Sequence, residues 1–428
     1  MIAEPESQAS SRVVRVPGDK SISHRSLICA ALASGRSRVR HILRSADVQS
    51  TAGVLRALGA GVPTLGDDVR VDGCGLRRLV APRVSLDCGN SGTTARLMAG
   101  VLSAHPFASR LEGDESLSRR PMGRVARPLE AMGARFAFEG GQHLPLTITG
   151  GDLQPLTWES PTASAQVKSA ILLAGLVSGV PVRVTEPVRS RDHTERMLAA
   201  LGVEIRSCGG EASLEPVGEL PPFQIDVPGD PSSAAFPAAL AAAGGIRGAG
   251  SIELTDVALN PTRLGFFRVL RGMGADITWE VEREECGEPV GTIHVTAASL
   301  SAATVSEELV PAMIDELPML ACLATRANGE TVITGASELR VKESDRIAAV
   351  VANLRAVGAE ADELPDGLRV RGGEMPLRGR VRAHGDHRLA MAFGVLGALP
   401  GNAIEVDDPT CVAVSYPAFW ADLERLTT

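Results

Sequence analysis

One short pattern recurs along this chain and leaves few folds open to it: the end of a helix, a glycine, and an apolar strand. It reads LRALGAGV from Leu55, LEAMGARF from Leu129, LAALGVEI from Leu198, LRGMGADI from Leu270 and LRAVGAEA from Leu354. In each copy leucine and its i+3 partner face a core, and glycine supplies the left-handed backbone that ends the helix. Gly59, Gly133, Gly202, Gly274 and Gly358 are 74, 69, 72 and 84 residues apart, and the terminal FWADLERLTT reads as a sixth helix cut short. Constant phase over the whole chain implies one supersecondary unit of about 70 residues, repeated six times.

A second series keeps the same phase. Polar clusters open Ala/Leu-rich helices: KSISHR before SLICAALA, GNSGTT before ARLMAGVL, SAQVKS before AILLAGL, DPSS before AAFPAALAAA, MIDE before LPMLACLA, and HGDHR before LAMAFGVLGAL. Counted from Ser21, Ser91, Ser164, Ser232, Asp315 and Asp386, the intervals are 70, 73, 68, 83 and 71. Each unit therefore holds two helices joined by strands, and one of the two is too apolar for a surface. Three such helices per domain are expected to pack as a buried core. The string VPGD occurs at 16–19 and again at 227–230, where Pro-Gly marks a turn. The reading is an α/β chain of two domains with three units each: residues 19–226, and residues 1–18 with 227–428, hinged near 15–19 and 226–230.

Composition narrows the function. In 428 residues, 44% of them hydrophobic, two domains have ample core. No run reaches the roughly 18 to 20 uncharged apolar residues of a membrane span, and the opening MIAEPESQASSR is unlike a secretory or transit peptide. A cytoplasmic protein without a membrane partner is expected. Seven cysteines without a CxxC pair fit neither a disulfide framework nor a zinc site. A net charge of −8 and 3% aromatics argue against a nucleic-acid surface, which needs a basic face and stacking rings.

A small anion is a different matter. Helix N-termini attract anions, and six of them aimed at a gap between the domains would make an electropositive cleft. Lys20, Arg25, Arg96, Arg120, Lys168, Arg191, Lys342, Arg346 and Arg388 would fall into it. The acids beside them are Asp315, Glu343, Asp345 and Asp386, with His24, His193 and His387 as candidate proton carriers. The lysines carry a further signal. Lys20, Lys168 and Lys342 are the only lysines among 43 basic residues, so each marks a place where a guanidinium is a poor substitute. Lysine is a compact charge that can lose its proton; arginine is neither. For Lys168 an inconsequential surface position is equally open.

Seven strings then fall in order at repeat spacing: PGDKSISHR, GNSGTTAR, GDESLSRRPM, SAQVKSA, MIDELP, RVKESDR and GDHR. In these the chain resembles the EPSP synthase (3-phosphoshikimate 1-carboxyvinyltransferase) family of enolpyruvyl transferases, from about Arg12 to the C-terminus. The UDP-N-acetylglucosamine enolpyruvyl transferases share the six-unit fold but use a loop cysteine, which DESLSRRPM around Arg120 lacks. The resemblance implies an inside-out α/β barrel of the enolpyruvyl transferase type. It also implies transfer of the enolpyruvyl group of phosphoenolpyruvate to the 5-hydroxyl of shikimate 3-phosphate, with no metal or organic cofactor.

The resemblance assigns Lys20, Ser21, Arg25, Ser164, Ala165, Gln166, Arg191, Asp315 and Lys342 to shikimate 3-phosphate. Lys20, Gly92, Arg120, Gln166, Arg346 and Arg388 fall to phosphoenolpyruvate, with 19–226 the shikimate side and the second domain the phosphoenolpyruvate side. Asp315, Glu343 and Lys20 are the expected catalytic residues: Asp315 for the 5-hydroxyl proton, Glu343 for the proton at C3, and Lys20 touching both substrates. Two departures stand out. Val414 occupies the place of a C-terminal lysine common in the family, and Ala165 replaces a second serine. Gly92 leaves room for the herbicide glyphosate, so inhibition is expected, and a monomer is expected because each core closes within one chain. A polymer-binding protein on the same repeat and an inactive relative that only binds the sugar phosphate are the competing classes.

Overall fold

The five repeat glycines all take positive φ, at 88°, 115°, 85°, 99° and 97° for Gly59, Gly133, Gly202, Gly274 and Gly358. This is backbone that residues with a Cβ enter only at a cost. It lets each helix stop and the chain double back into a strand. The computed structural model describes residues 11–428; the N-terminal residues behind the targeting expectation lie largely outside the described residues. Among the described residues six open sheets result, in the orders Ser11–Arg15, Ser251–Ala258, Glu288–Thr296, Asp276–Glu285 for one and Thr304–Val305, Glu330–Ile333, Gly367–Arg371, Glu360–Leu364 for its neighbour in sequence.

The pairing repeats from sheet to sheet. Leu156–Glu159 runs parallel to Val182–Thr185, which is antiparallel to Glu211–Glu215, which in turn pairs antiparallel with Glu204–Cys208. The same parallel, antiparallel, antiparallel sequence orders Leu86–Asp87, Ala108–Glu112, Leu146–Thr149 and Arg135–Phe138. Strand Asp68–Asp72 shows the period-2 pattern that places it: Val69 and Val71 are buried and the residues between are exposed. The repeat visible in the sequence is therefore a repeat of topology in the four-stranded sheets, while Gln224–Asp226, Arg36–Arg40 and Asp68–Asp72 form a three-stranded sheet and Arg378–Val381 pairs with Ala403–Val406 alone in a two-stranded one.

By packing the chain divides into two compact units: Pro17–Pro228 with Glu284–Pro289, and 11–16 with Gly229–Arg283 and Val290–Thr428. The boundaries differ from those expected at 18/19 and 226/227. The Asp19 N–H donates to the Pro228 carbonyl at 2.7 Å, whereas Gly229 donates to Asp256 at 2.6 Å, so the change of unit falls inside the second VPGD turn. The segment Glu284–Pro289 joins the first unit for local reasons. Glu285 accepts the Asp226 N–H at 2.9 Å, the Gly287 carbonyl accepts from Arg196 at 3.0 Å, and Glu288 pairs with His193 at 2.7 Å.

Each unit is built on three buried helices. In the unit 17–228 they are Lys20–Leu32, Gly92–Ser103 and Ala165–Ser178; in the other they are Pro231–Ala242, Leu317–Ala324 and His387–Ala398. Every residue of Pro231–Ala242 and Leu317–Ala324 is buried. Gly92–Ser103 and Ala165–Ser178 come so close that a Cβ on Gly100 would lie 2.1 Å from the Ala170 carbonyl. Only glycine permits that approach.

Candidate functional site

Five of the six core helices begin on a capping side chain. Asp19, Ser91, Ser164, Asp230 and Asp386 accept from the N–H groups of Ile22, Thr94, Val167, Ser232 and Arg388, which satisfies donors left over at a helix start. The exception is Leu317–Ala324, where Glu316 is the N-cap and makes no side-chain cap bond. Asp315 precedes it. Its carboxylate lies 3.4 Å from Arg346 Nη1 and 3.8 Å from Lys342 Nζ.

That carboxylate belongs to a tight cluster in the unit 229–428. Arg346 is only 1% exposed. Its Nε donates to Asp386 at 2.8 Å, and its Nη2 donates to Glu343 at 2.7 Å and to Asp386 at 3.2 Å. Burial by itself lowers a guanidinium pKa, yet Asp386 and Glu343 more than offset it, so Arg346 stays charged well above the ordinary range. Asp386 also caps Arg388 through its N–H at 2.9 Å and accepts from Ser344 at 3.0 Å. Arg388 is buried, and its Nη1 finds no acceptor among the described residues.

A second cluster occupies the helix starts of the unit 17–228. Lys20, first in its helix, lies 3.2 Å from Asp47. Arg25, one turn on, is buried; its Nε donates to Thr194 at 2.7 Å, Nη2 to Ser169 at 2.8 Å and Nη1 to the Ser21 carbonyl at 3.0 Å. Gln166 accepts from Arg96 Nη1 at 2.7 Å and donates to Thr93 at 3.0 Å. Arg120 donates to Asn90 at 2.6 Å and Ser116 at 3.2 Å. Gly92 sits between the two guanidinium groups: a Cβ there would be 2.7 Å from Arg96 Nη1 and 3.7 Å from Arg120 Nη1. His24 is buried with its Nδ1 2.6 Å from Thr51. Burial first, then Lys20 and Arg25, hold its pKa well below the imidazole range.

The predicted residues thus fall into two groups, one in each unit. Lys20, Ser21, Arg25, Gly92, Arg120, Ser164, Ala165, Gln166 and Arg191 lie in 17–228; Asp315, Lys342, Glu343, Arg346 and Arg388 lie in 229–428. Chemically, one group offers cations and hydrogen-bond donors for anions, and the other sets two acids against a buried cation. Acids held beside fixed cations are suited to moving protons at an anionic substrate.

With this geometry goes a match to known proteins. The family model for EPSP synthase (3-phosphoshikimate 1-carboxyvinyltransferase) matches residues 4–423. The chain belongs to the EPSP synthase family. A 3-phosphoshikimate 1-carboxyvinyltransferase of Geobacillus kaustophilus is 48% identical over 418 residues, 97% of each chain, and that of Bacillus licheniformis is 45% identical over 418 residues, 96% of each. A solved EPSP synthase from Acinetobacter baumannii aligns with a TM-score of 0.85 at 41% identity, covering 99% of this chain and 97% of its own. The enolpyruvyl transferase NikO from Streptomyces tendae, 19% identical over 98% of this chain and 95% of its own, shares the fold at a TM-score of 0.75. The architecture is accordingly the six-unit α/β fold of the enolpyruvyl transferases.

In this EPSP synthase family member some partners carried no sequence signal. Asp47, on which Lys20 rests, opens an ordinary helix within SADV. Lys168 corrects the surface alternative: it is 4% exposed, with Nζ 3.0 Å from Glu186 and 2.9 Å from Glu195. Neither glutamate lies in a recognisable string, because the contacts that bury them are made by distant parts of the chain. Val414, expected to stand where the family commonly has a lysine, is half-buried at the end of the 3₁₀ turn Pro409–Val414.

Proposed function

We propose that this chain transfers the enolpyruvyl group of phosphoenolpyruvate to the 5-hydroxyl of shikimate 3-phosphate and releases phosphate. The observation that carries the reading is the Arg346 cluster, in which Asp315 and Glu343 are held on one buried guanidinium in a chain that matches the family model almost end to end. Both substrates are anions, so their mutual repulsion must be met before any bond forms. Lys20, Ser21, Arg25, Ser164, Ala165, Gln166, Arg191, Asp315 and Lys342 bind shikimate 3-phosphate in this reading, and Lys20, Gly92, Arg120, Gln166, Arg346 and Arg388 bind phosphoenolpyruvate. Ser164, at a capped helix start, is suited to phosphate.

The 5-hydroxyl loses its proton to Asp315 and its oxygen adds to C2 of phosphoenolpyruvate, while C3 gains a proton from Glu343. The resulting tetrahedral intermediate returns a proton from its methyl group and breaks the C–O bond to phosphate. Lys20, beside Asp47, touches both substrates and keeps the option of proton transfer that arginine lacks. Glyphosate inhibits by occupying the space that Gly92 leaves. The protein acts as a monomer and in the cytoplasm, where its seven free cysteines fit a reducing compartment. Phosphate release from phosphoenolpyruvate that depends on added shikimate 3-phosphate is the test. Tight binding of the sugar phosphate without release would replace this reading with that of an inactive relative.

A further inference from the structure

Lys168 lies outside the residues assigned above, yet it is the most enclosed of the three lysines. Its ammonium sits between Glu186 and Glu195, whose side chains are 1% and 3% exposed. Glu186 is a junction. One oxygen accepts the Ser164 N–H at 2.6 Å; the other accepts the Ser190 hydroxyl at 2.7 Å, with the Ser190 N–H at 3.4 Å and the Lys168 ammonium at 3.0 Å. Glu195 follows Thr194, which accepts from Arg25 and is 2.7 Å from the Ser169 hydroxyl. The field of Glu195 acts on Arg25 as well as on Lys168.

Two buried cations, Arg25 and Lys168, stand among several buried carboxylates: Glu186 and Glu195 flank Lys168, the fields of Asp19 and of Glu288, which is paired with His193, reach Arg25, and that of Asp192, bridged to Arg189 and Arg196, reaches Glu195. Lys168 is the cation held against both Glu186 and Glu195. Without Lys168 these two carboxylates lose their shared cation directly behind Ser164 and Arg25, where uncompensated buried charge is costly and an incoming dianion would be repelled. We propose that Lys168 is a positioning residue for the anionic sugar substrate, holding Glu186 under Ser164 and offsetting the carboxylates behind Arg25. This rests on placing Ser164 and Arg25 at the shikimate 3-phosphate site. It explains why lysine survives here in an arginine-rich chain: a compact ammonium fits between two carboxylates without the bulk of a guanidinium.

The test is steady-state kinetics of the whole enzyme from pH 6 to 8.5, with thermal melts, for Lys168→Met, the double variant Lys168→Met with Glu195→Gln, and Ser164→Ala. In Lys168→Met the KM for shikimate 3-phosphate should rise at least about tenfold at pH 8, while the KM for phosphoenolpyruvate stays within about threefold. The rise should shrink as pH falls, because an abandoned buried carboxylate takes up a proton. The double variant, which removes one carboxylate together with the cation, should recover most of the loss. Equal rises for both substrates, a pH-independent rise, or a double variant no better than the single would overturn the proposal. If Lys168→Met does not fold, the double variant decides: with the ammonium and one of its carboxylates removed together, a KM near wild type supports the proposal and a tenfold rise overturns it. A raised KM in Ser164→Ala beside an unchanged one in Lys168→Met sinks this inference alone; unchanged values in both sink the site assignment with it.

Discussion

Arg346 illustrates how a single residue can organise a site. At 1% exposure it meets Asp386, Glu343 and Asp315 at once, so two candidate proton carriers are held by one planar fork. Removing a carboxylate from this arrangement should affect chemistry more than folding, because Asp315 is only partly enclosed. Asp315→Ala is expected to lower kcat at least about a hundredfold, the scale for a positioned acid or base, with the melting temperature little changed. Turnover near wild type would remove Asp315 from the mechanism. Gly92 provides a second test at this scale. The methyl of Gly92→Ala would meet Arg96 Nη1 at 2.7 Å, the far end of a flexible side chain, which can swing off Gln166. The variant should therefore fold, and it should show weaker glyphosate inhibition together with a higher KM for phosphoenolpyruvate. Unchanged inhibition would count against Gly92 as the space the herbicide uses.

At the scale of the element, the helix–glycine–strand junction carries the architecture. Gly202 has φ at 85° and nothing within 4 Å of where a Cβ would be. Gly202→Ala thus isolates the conformational cost from any clash. The expected loss is about 1 to 2 kcal/mol, read from urea unfolding, with activity retained at low urea. No loss would mean that the junction relaxes out of the left-handed region. Gly100 is a contrasting case, since its replacement would drive a side chain into the Ala170 carbonyl and push two core helices apart. The capping residues follow the same economy of position. Asp386 caps one helix and anchors Arg346 of another, so the end of a core helix is also part of the candidate site.

Across the whole molecule, buried histidines should couple stability to pH. The pKa of His24 is held well below the ordinary value by burial and then by Lys20 and Arg25, and that of His105 is lowered by burial. The unfolded chain binds protons at these positions below about pH 6.5 while the folded chain resists them. The associated stability is fully present above that value and is lost as pH falls toward the folded-state pKa, by up to about 1.4 kcal/mol per unit for each histidine. The urea midpoint should accordingly drop between pH 7.5 and 5.5, and His24→Gln should flatten the drop. A flat wild-type profile would show that neither histidine resists protonation.

What the sequence determined by itself was everything that repeats or that is local. Gly59, Gly133, Gly202, Gly274 and Gly358 announced the helix ends, because only one residue type enters that backbone freely, and their phase gave six units. Polar clusters before apolar runs located five capped helix starts, because capping needs only residues two or three apart. The seven strings gave the family. The tertiary structure alone decided the partners. Asp47 under Lys20, Glu186 and Glu195 around Lys168, and Asp315 beside Arg346 all pair residues from separate elements. So does the segment Glu284–Pro289 that packs with residues 17–228. Repetition and capping are written in neighbouring residues, whereas the burial that sets a charge and the carboxylate that balances it come from whichever distant segment the fold brings alongside.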